Sequence, residues 1–218
     1  MILNVVNEIA ANGVLSGVVY AESVKVKETG QDLKAALDAL VADKAQTEFA
    51  AETKDAVRNL LKTGGFKPSG RNKPASEYLA QAAREGRFPF INNLVDINNF
   101  ISLETGLPIS LLDASVIGGT LKIRYGRAGE RYVFNASGQD IDLAGLVCAC
   151  SGEKDQPLGN PVKDSMEGKI KEKTTSVVGV IYSPADAHWR SVTERAVVQF
   201  AHWLKLEGGA DKVESFVV

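Results

Sequence analysis

Residues Phe90 to Gly119 read FINNLVDINNFISLETGLPISLLDASVIGG, and this stretch decides how the chain is read. Five amide and carboxylate residues, Asn92, Asn93, Asp96, Asn98 and Asn99, stand among Leu94, Val95, Ile97, Phe100 and Ile101, and Gly106-Leu107-Pro108 closes the segment. Asn and Asp are poor interior helix residues because their side chains compete for the backbone. A helix that carries so many of them next to large apolar side chains needs a reason.

With 3.6 residues per turn, Asn92, Asp96 and Asn99 share one stripe, and Leu94, Ile97 and Ile101 share the opposite one. Val95, Phe100 and Leu103 flank the polar stripe, so it borders a partly buried space, where polar groups need partners. The pattern has two readings. In one, Asn93 is an N-cap with Asp96 three residues on, and the amides serve only the helix start. In the other, the stripe is the wall of a polar-lined pocket.

Outward from this helix, the order of residues resembles a known family. Val95, Asp96, Asn99, Glu104, Gly106, Pro108, Asp113, Gly118, Gly119, Arg124, Gly129, Glu130, Gly138, Leu146 and Val147 fall in the order of a V-D-h-T-N-Y pattern. That pattern runs on through a G-Q-P-h-H segment, a Gly-Gly strand and an L-V-I-A-D strand. It is that of the tRNA-editing B3/B4 domain of the phenylalanyl-tRNA synthetase β subunit, and the resemblance covers about residues 64 to 184. It implies an α+β fold, a mixed-sheet layered sandwich of the B3/B4 type, with its pocket beside the Asn-rich helix. In the synthetase this domain hydrolyses phenylalanine tRNA wrongly charged with tyrosine. The expectation is therefore a free-standing module that binds tRNA, or the aminoacyl end of tRNA, in a pocket walled by Asn92, Asn93, Asp96, Asn99, Ser110 and Asp113. Aminoacyl-tRNA hydrolase activity is one outcome of that expectation. The alternative is a small-molecule or amino-acid binding protein that reuses the pocket without RNA.

Two departures from the family pattern bear on chemistry. Ser110 stands where the family has its pocket histidine, and Val178 aligns with the glutamate that recognises the tyrosyl hydroxyl. A site that selects a hydroxyl must offer it a buried partner. No Gly-x-Ser-x-Gly elbow, His-Glu-x-x-His pair or phosphate-binding glycine loop occurs, so no catalytic residue is assigned. Deacylation would then rest on a positioned water and amide or backbone donors. At 218 residues the chain is too short for a complete synthetase, and aminoacylation by this polypeptide alone is not expected.

Composition narrows the remaining classes. With 44% hydrophobic residues and 24% charged, the chain supports one sizeable core. It is expected as a single domain over 1–218, with an N-terminal strand and helices over 1–63 packed on the core and a C-terminal helix and tail over 185–218. The formal net charge of -2 supplies no global field for nucleic acid. Any RNA contact must be local. Lys67, Arg71, Lys73, Arg84 and Arg87 face only Glu77 and Glu85, and Lys67, Arg71, Lys73, Arg87 and the more distant Lys163 are the RNA-binding candidates.

Cys148 and Cys150, alternating on one strand, are expected as free buried thiols, without disulfide or zinc. His188 and Ser191 share a turn of the C-terminal helix as chance neighbours. No cofactor, targeting segment or membrane span is expected, which makes a cytoplasmic protein the reading.

Strands are expected at Val14 to Val26, Thr120 to Tyr125, Arg131 to Asn135, Leu146 to Cys150 and Ser176 to Tyr182, the middle three joined as one antiparallel sheet. Helices are expected over Gln31 to Asp43, Thr53 to Lys62 and Ser76 to Glu85, and from Ser183-Pro184 to Leu206. Ser151 to Lys173 reads as a long polar loop, either a mobile flap beside the pocket or an ordinary surface excursion.

Overall fold

The apolar runs Val14–Glu22 and Ser176–Pro184 are partners, paired antiparallel from Val14 against Pro184 to Glu22 against Ser176. The computed structural model describes residues 3–218. In chain order the elements are β1 (Asn4–Asn7), β2 (Val14–Glu22), α1 (Gln31–Gln46), α2 (Ala51–Lys62), α3 (Ala75–Arg84), α4 (Asn93–Thr105), β3 (Ile109–Asp113) and α5 (Ala114–Ile117). They continue with β4 (Thr120–Tyr125), β5 (Arg131–Val133), β6 (Asp140–Asp142), β7 (Val147–Ser151), β8 (Gln156–Gly159), β9 (Ser176–Pro184), α6 (Ala187–Leu206) and β10 (Lys212–Val217).

The architecture is α+β. One four-stranded sheet has the order β10-β2-β9-β3, and every neighbouring pair in it is antiparallel. Both inner strands are buried along almost their whole length, which is why they read as continuous apolar runs rather than as alternation. Helix α6 lies directly on this sheet. A Cβ on Gly17 would come within 2.7 Å of Thr193, and one on Gly179 within 2.6 Å of Phe200. Glycine at these two sites lets the helix touch the strand backbone, and Phe200 and Leu204 fill the space between with no exposed surface.

A second sheet has the order β1-β4-β7-β8 and is mixed, because β1 runs parallel to β4 whereas β7 is antiparallel to both of its neighbours. The antiparallel sheet expected through Arg131 to Asn135 is different in the fold. β4 pairs with β7, and β5 pairs with β6 in a separate two-stranded ribbon. The ribbon's residues are largely exposed, so it has too little apolar surface to join the layer. An Arg131–Asp140 ion pair ties its two strands.

Three further expectations change. The last helix does not start at Ser183-Pro184, because β2 keeps that step in the sheet, and Asp186 caps α6 instead by accepting from the Trp189 amide. The stretch Ser151 to Lys173 is not structureless: β8 within it pairs with β7, and Asn160 Oδ1 accepts from the amides of Val162 and Lys163 to set a turn. The first 63 residues also do more than pack on a core, since β2 is an inner strand of one sheet and β1 an edge of the other.

Candidate functional site

Helix α4 and the edge strand β3 face each other across two adjoining cavities. The first, about 420 Å³, is lined by Asn92, Val95, Asn98 and Asn99 of the α4 segment, Ile109 and Leu111 of β3, and Val162, Lys163, Asp164, Lys169 and Ile170 of the segment after β8. The second, about 590 Å³, shares Asn98, Asn99, Ile109, Val162 and Lys163 and adds Arg71, Tyr78, Leu79, Pro89 and Ser102. One apolar floor with an amide stripe therefore runs through both.

The amide stripe exists because α4 is wedged between structural layers. Asn92 is the N-cap, accepting from the Val95 amide at 3.0 Å, and it also lines the first cavity. This corrects the expectation of Asn93 at the cap, which follows from the extended backbone at Asn92. Asn93 and Asp96 point elsewhere. Asn93 accepts from the Lys27 amide and donates to the carbonyls of Lys25 and Glu207. Asp96 accepts from Thr29 Oγ1 at 2.6 Å and from the Ile91 amide at 3.0 Å. Both are fully buried and tie the segments before α1 and before α4 to the helix, so neither stands in the pocket wall. Burial pushes the Asp96 carboxyl above its ordinary value, against the pull of Thr29, the Ile91 amide and Lys34.

Asn98 and Asn99 line both cavities. Asn98 Nδ2 donates to Asn99 Oδ1 at 3.4 Å, while Asn98 Oδ1 is buried without a hydrogen-bond partner among the described residues. Ser110 lies just behind the wall. Its hydroxyl donates to Asp164 Oδ1 at 2.5 Å and is 2.8 Å from the Tyr182 hydroxyl. Asp113 is away from the cavities. It caps α5 through the Ser115 amide and hydroxyl and accepts from Thr174 Oγ1. Although burial pushes its carboxyl up, these hydrogen bonds prevail and hold it below the usual value.

Asp164 and Asn98 are the residues that sequence reading passed over. For Asn98 the signal was present as the Asn98-Asn99 pair, but helical phase alone favoured Asn92, Asp96 and Asn99. For Asp164 the only signals are its neighbour Lys163 and its place in the Ser151 to Lys173 stretch expected beside the pocket, from which Val162, Lys163, Asp164, Lys169 and Ile170 line the first cavity. Asp164 Oδ2 accepts from the Leu111 amide at 3.3 Å and Oδ1 from the Asn160 amide at 3.4 Å. Burial raises its carboxyl to about 7 in spite of the Ser110, Asn160 and Leu111 hydrogen bonds.

The basic candidates divide. Arg71 and Lys163 reach the second cavity, and Lys163 is held below the ordinary lysine value by burial and then by the neighbouring Arg71 charge. Lys73 bonds Gln81 and lies over the Tyr78 ring, Arg87 pairs with Glu85, and Lys67 is exposed outside both linings. Cys148 and Cys150 are buried free thiols; burial pushes Cys150 to about 12, which leaves it inert. Among the described residues no group of three or more His, Cys, Asp or Glu is placed to hold a metal ion, and no helix is long and apolar enough to cross a membrane.

Fold and site together define an α+β domain whose cavity lies between an Asn-rich helix and the edge of a buried antiparallel sheet. The family model of the B3/4 domain matches residues 65–191, and the chain belongs to that family. It is 30% identical over 125 residues to the phenylalanine–tRNA ligase β subunit of Symbiobacterium thermophilum, covering 56% of this chain and 13% of that protein. It is 27% identical over 165 residues to the same subunit of Lactobacillus acidophilus, covering 74% and 19%. Among solved structures, an N-terminal fragment of the phenylalanyl-tRNA synthetase β subunit from Pyrococcus horikoshii superposes with a TM-score of 0.48 at 9% identity, covering 100% of this chain and 54% of that one. The chain thus spans less than a fifth of the length of these curated relatives.

Proposed function

We propose that the paired cavities receive the aminoacylated 3′ end of a tRNA, with the aminoacyl group against α4 and β3 and the nucleotide end toward Arg71 and Lys163. The observation that carries this reading is the continuity of an amide-striped apolar cavity with a rim of two neighbouring cations. An apolar floor of Val95, Ile109, Leu111 and Val162 suits an amino-acid side chain. The rim cations suit a phosphate. The named relatives are subunits of a tRNA ligase, which brings tRNA forward as the polymer.

The test is tRNA retention as a function of salt. Binding that weakens with salt, and that loses most of this dependence in Arg71→Ala/Lys163→Ala, supports the reading; salt-independent binding of free amino acids with no tRNA retention favours a small-molecule pocket instead. Hydrolysis is a separate question with its own readout. Release of labelled amino acid, abolished by Asn99→Ala, would assign ester cleavage to this cavity. Tyrosyl ester is expected to be released slowly, because Val178, which aligns with the glutamate that recognises the tyrosyl hydroxyl in the family pattern, is a fully buried apolar strand residue and cannot supply that contact.

A further inference from the structure

Two hydrogen-bond acceptors belong to residues lining the first cavity and accept no hydrogen bond from a cation among the described residues. Asn98 is only 9% exposed, and its Oδ1 is without a partner among the described residues. A buried carbonyl oxygen without a partner costs the fold free energy, and a donor entering the adjoining cavity would relieve that cost with a small shift of the amide. Asp164 shares that cavity. Its three donors, Ser110 Oγ and the amides of Leu111 and Asn160, are all neutral.

Two lysines also line this cavity, yet both are turned to the same other residue. Lys163 Nζ sits over the Phe134 ring at 4.1 Å, and Lys169 Nζ donates to the Phe134 carbonyl at 2.7 Å. Phe134 therefore engages both ammonium groups: Lys169 still draws the Asp164 carboxyl down through its charge, but neither lysine hydrogen-bonds it. What remains is a carboxyl and a carbonyl oxygen beside an apolar floor.

Resting on the tRNA-end reading above, we propose that Asp164 and Asn98 form the recognition point for a free α-ammonium group, so that the cavity takes aminoacyl groups with an unmodified amine and rejects N-acylated ones. An ammonium brings three donors and a positive charge, and where Asp164 is ionised, above about pH 7, a charge-assisted bond to its carboxylate is about twice as strong as a neutral one. An N-acyl amide has one donor and no charge, and its extra bulk must enter the same space. Asp164 and Asn98 are specificity-determining residues in this proposal.

The test uses 3′-deoxy-3′-(L-leucylamino)adenosine and the corresponding L-phenylalanylamino compound, each with its N-acetyl derivative, titrated into the full chain by calorimetry. The expected result is that at least one free-amine compound binds about tenfold or more tightly than its N-acetyl partner. Asp164→Asn and Asn98→Leu should each shrink that ratio toward one, with unfolding curves confirming folded variants. The wild-type contrast needs no variant to be read. Equal binding of amine and N-acetyl forms overturns the inference while leaving the tRNA-end reading in place. An unchanged ratio in Asp164→Asn likewise removes Asp164 from it, and failure of all four compounds to bind overturns both.

Discussion

Ser110 Oγ lies 2.5 Å from Asp164 Oδ1, across 54 residues of sequence. This bond, with the Leu111 amide on the other carboxyl oxygen, fastens the segment after β8 to the open edge of β3. An uncovered edge strand presents unpaired backbone groups. Here the same carboxyl that covers the edge also faces the cavity, so edge protection and site construction are one feature.

The first prediction concerns pH. The folded carboxyl of Asp164 is raised to about 7 from an ordinary 3.8, so between these values the folded state holds a proton that the unfolded state has lost. The contribution is complete below about pH 4 and is lost as pH rises through about 7, on the order of 2 to 4 kcal/mol for the carboxyl at about 7. Asp164→Asn should flatten this fall. Urea denaturation of both proteins from pH 4.5 to 8.5 checks it, and parallel curves would contradict it. Asp96 shifts in the same direction in both proteins and cancels in the comparison. Asp155 acts at the other end: against the upward push of burial, Arg127, Lys122 and Arg124 hold it down to about 2, so its contribution is lost only as pH falls toward 2.

A second prediction separates framework from site on one helix. Asp96→Ala removes the acceptor of Thr29 Oγ1 and of the Ile91 amide and should cost about 2 kcal/mol of stability, with ligand affinity in the folded fraction changed little. Asn99→Ala should do the reverse. Denaturation midpoints and titrations on the two variants give the comparison, and an affinity loss confined to Asp96→Ala would return that residue to the pocket wall.

Close approach of α6 to the sheet gives the third. In Gly179→Ala the new Cβ meets Phe200 at 2.6 Å, a contact that must be relieved by moving the ring or the helix. Overpacking of this kind costs about 1 to 3 kcal/mol. A lowered denaturation midpoint is expected for Gly179→Ala and none for Arg190→Ala, an exposed position on the same helix.

The last prediction concerns the basic residues. Arg71→Ala/Lys163→Ala should reduce the salt slope of tRNA binding by about two, whereas Lys73→Ala/Arg87→Ala should leave it nearly unchanged, because Arg71 and Lys163 line the second cavity while Lys73 and Arg87 lie outside both cavity linings. Filter retention at several salt concentrations distinguishes the two pairs.

Legible in the chain alone are the Asn-rich helix with its Gly106 stop, the buried strands around Val14 and Ser176, the two free thiols and the family to which the chain belongs. These are local properties or ordered motifs: periodicity, a left-handed glycine at Gly106, and residue order along the chain. Which polar side chains face the cavity was decided only by tertiary structure. Asp96 and Asn99 share a helical stripe, yet Thr29 and the Ile91 amide capture the first, and β3 with the segment after β8 encloses the second. Strand pairing was likewise beyond reach, since β4 chose β7 over its nearer neighbour β5 through buried apolar matching that no local signal records. Asp164 is the clearest case. Its neighbour Lys163 and the Ser151 to Lys173 stretch point toward the pocket, but nothing in the chain singles out Asp164 itself; its chemistry comes from Ser110, Leu111 and Asn160, brought against it by folding, and from the low-polarity surroundings that raise its proton affinity.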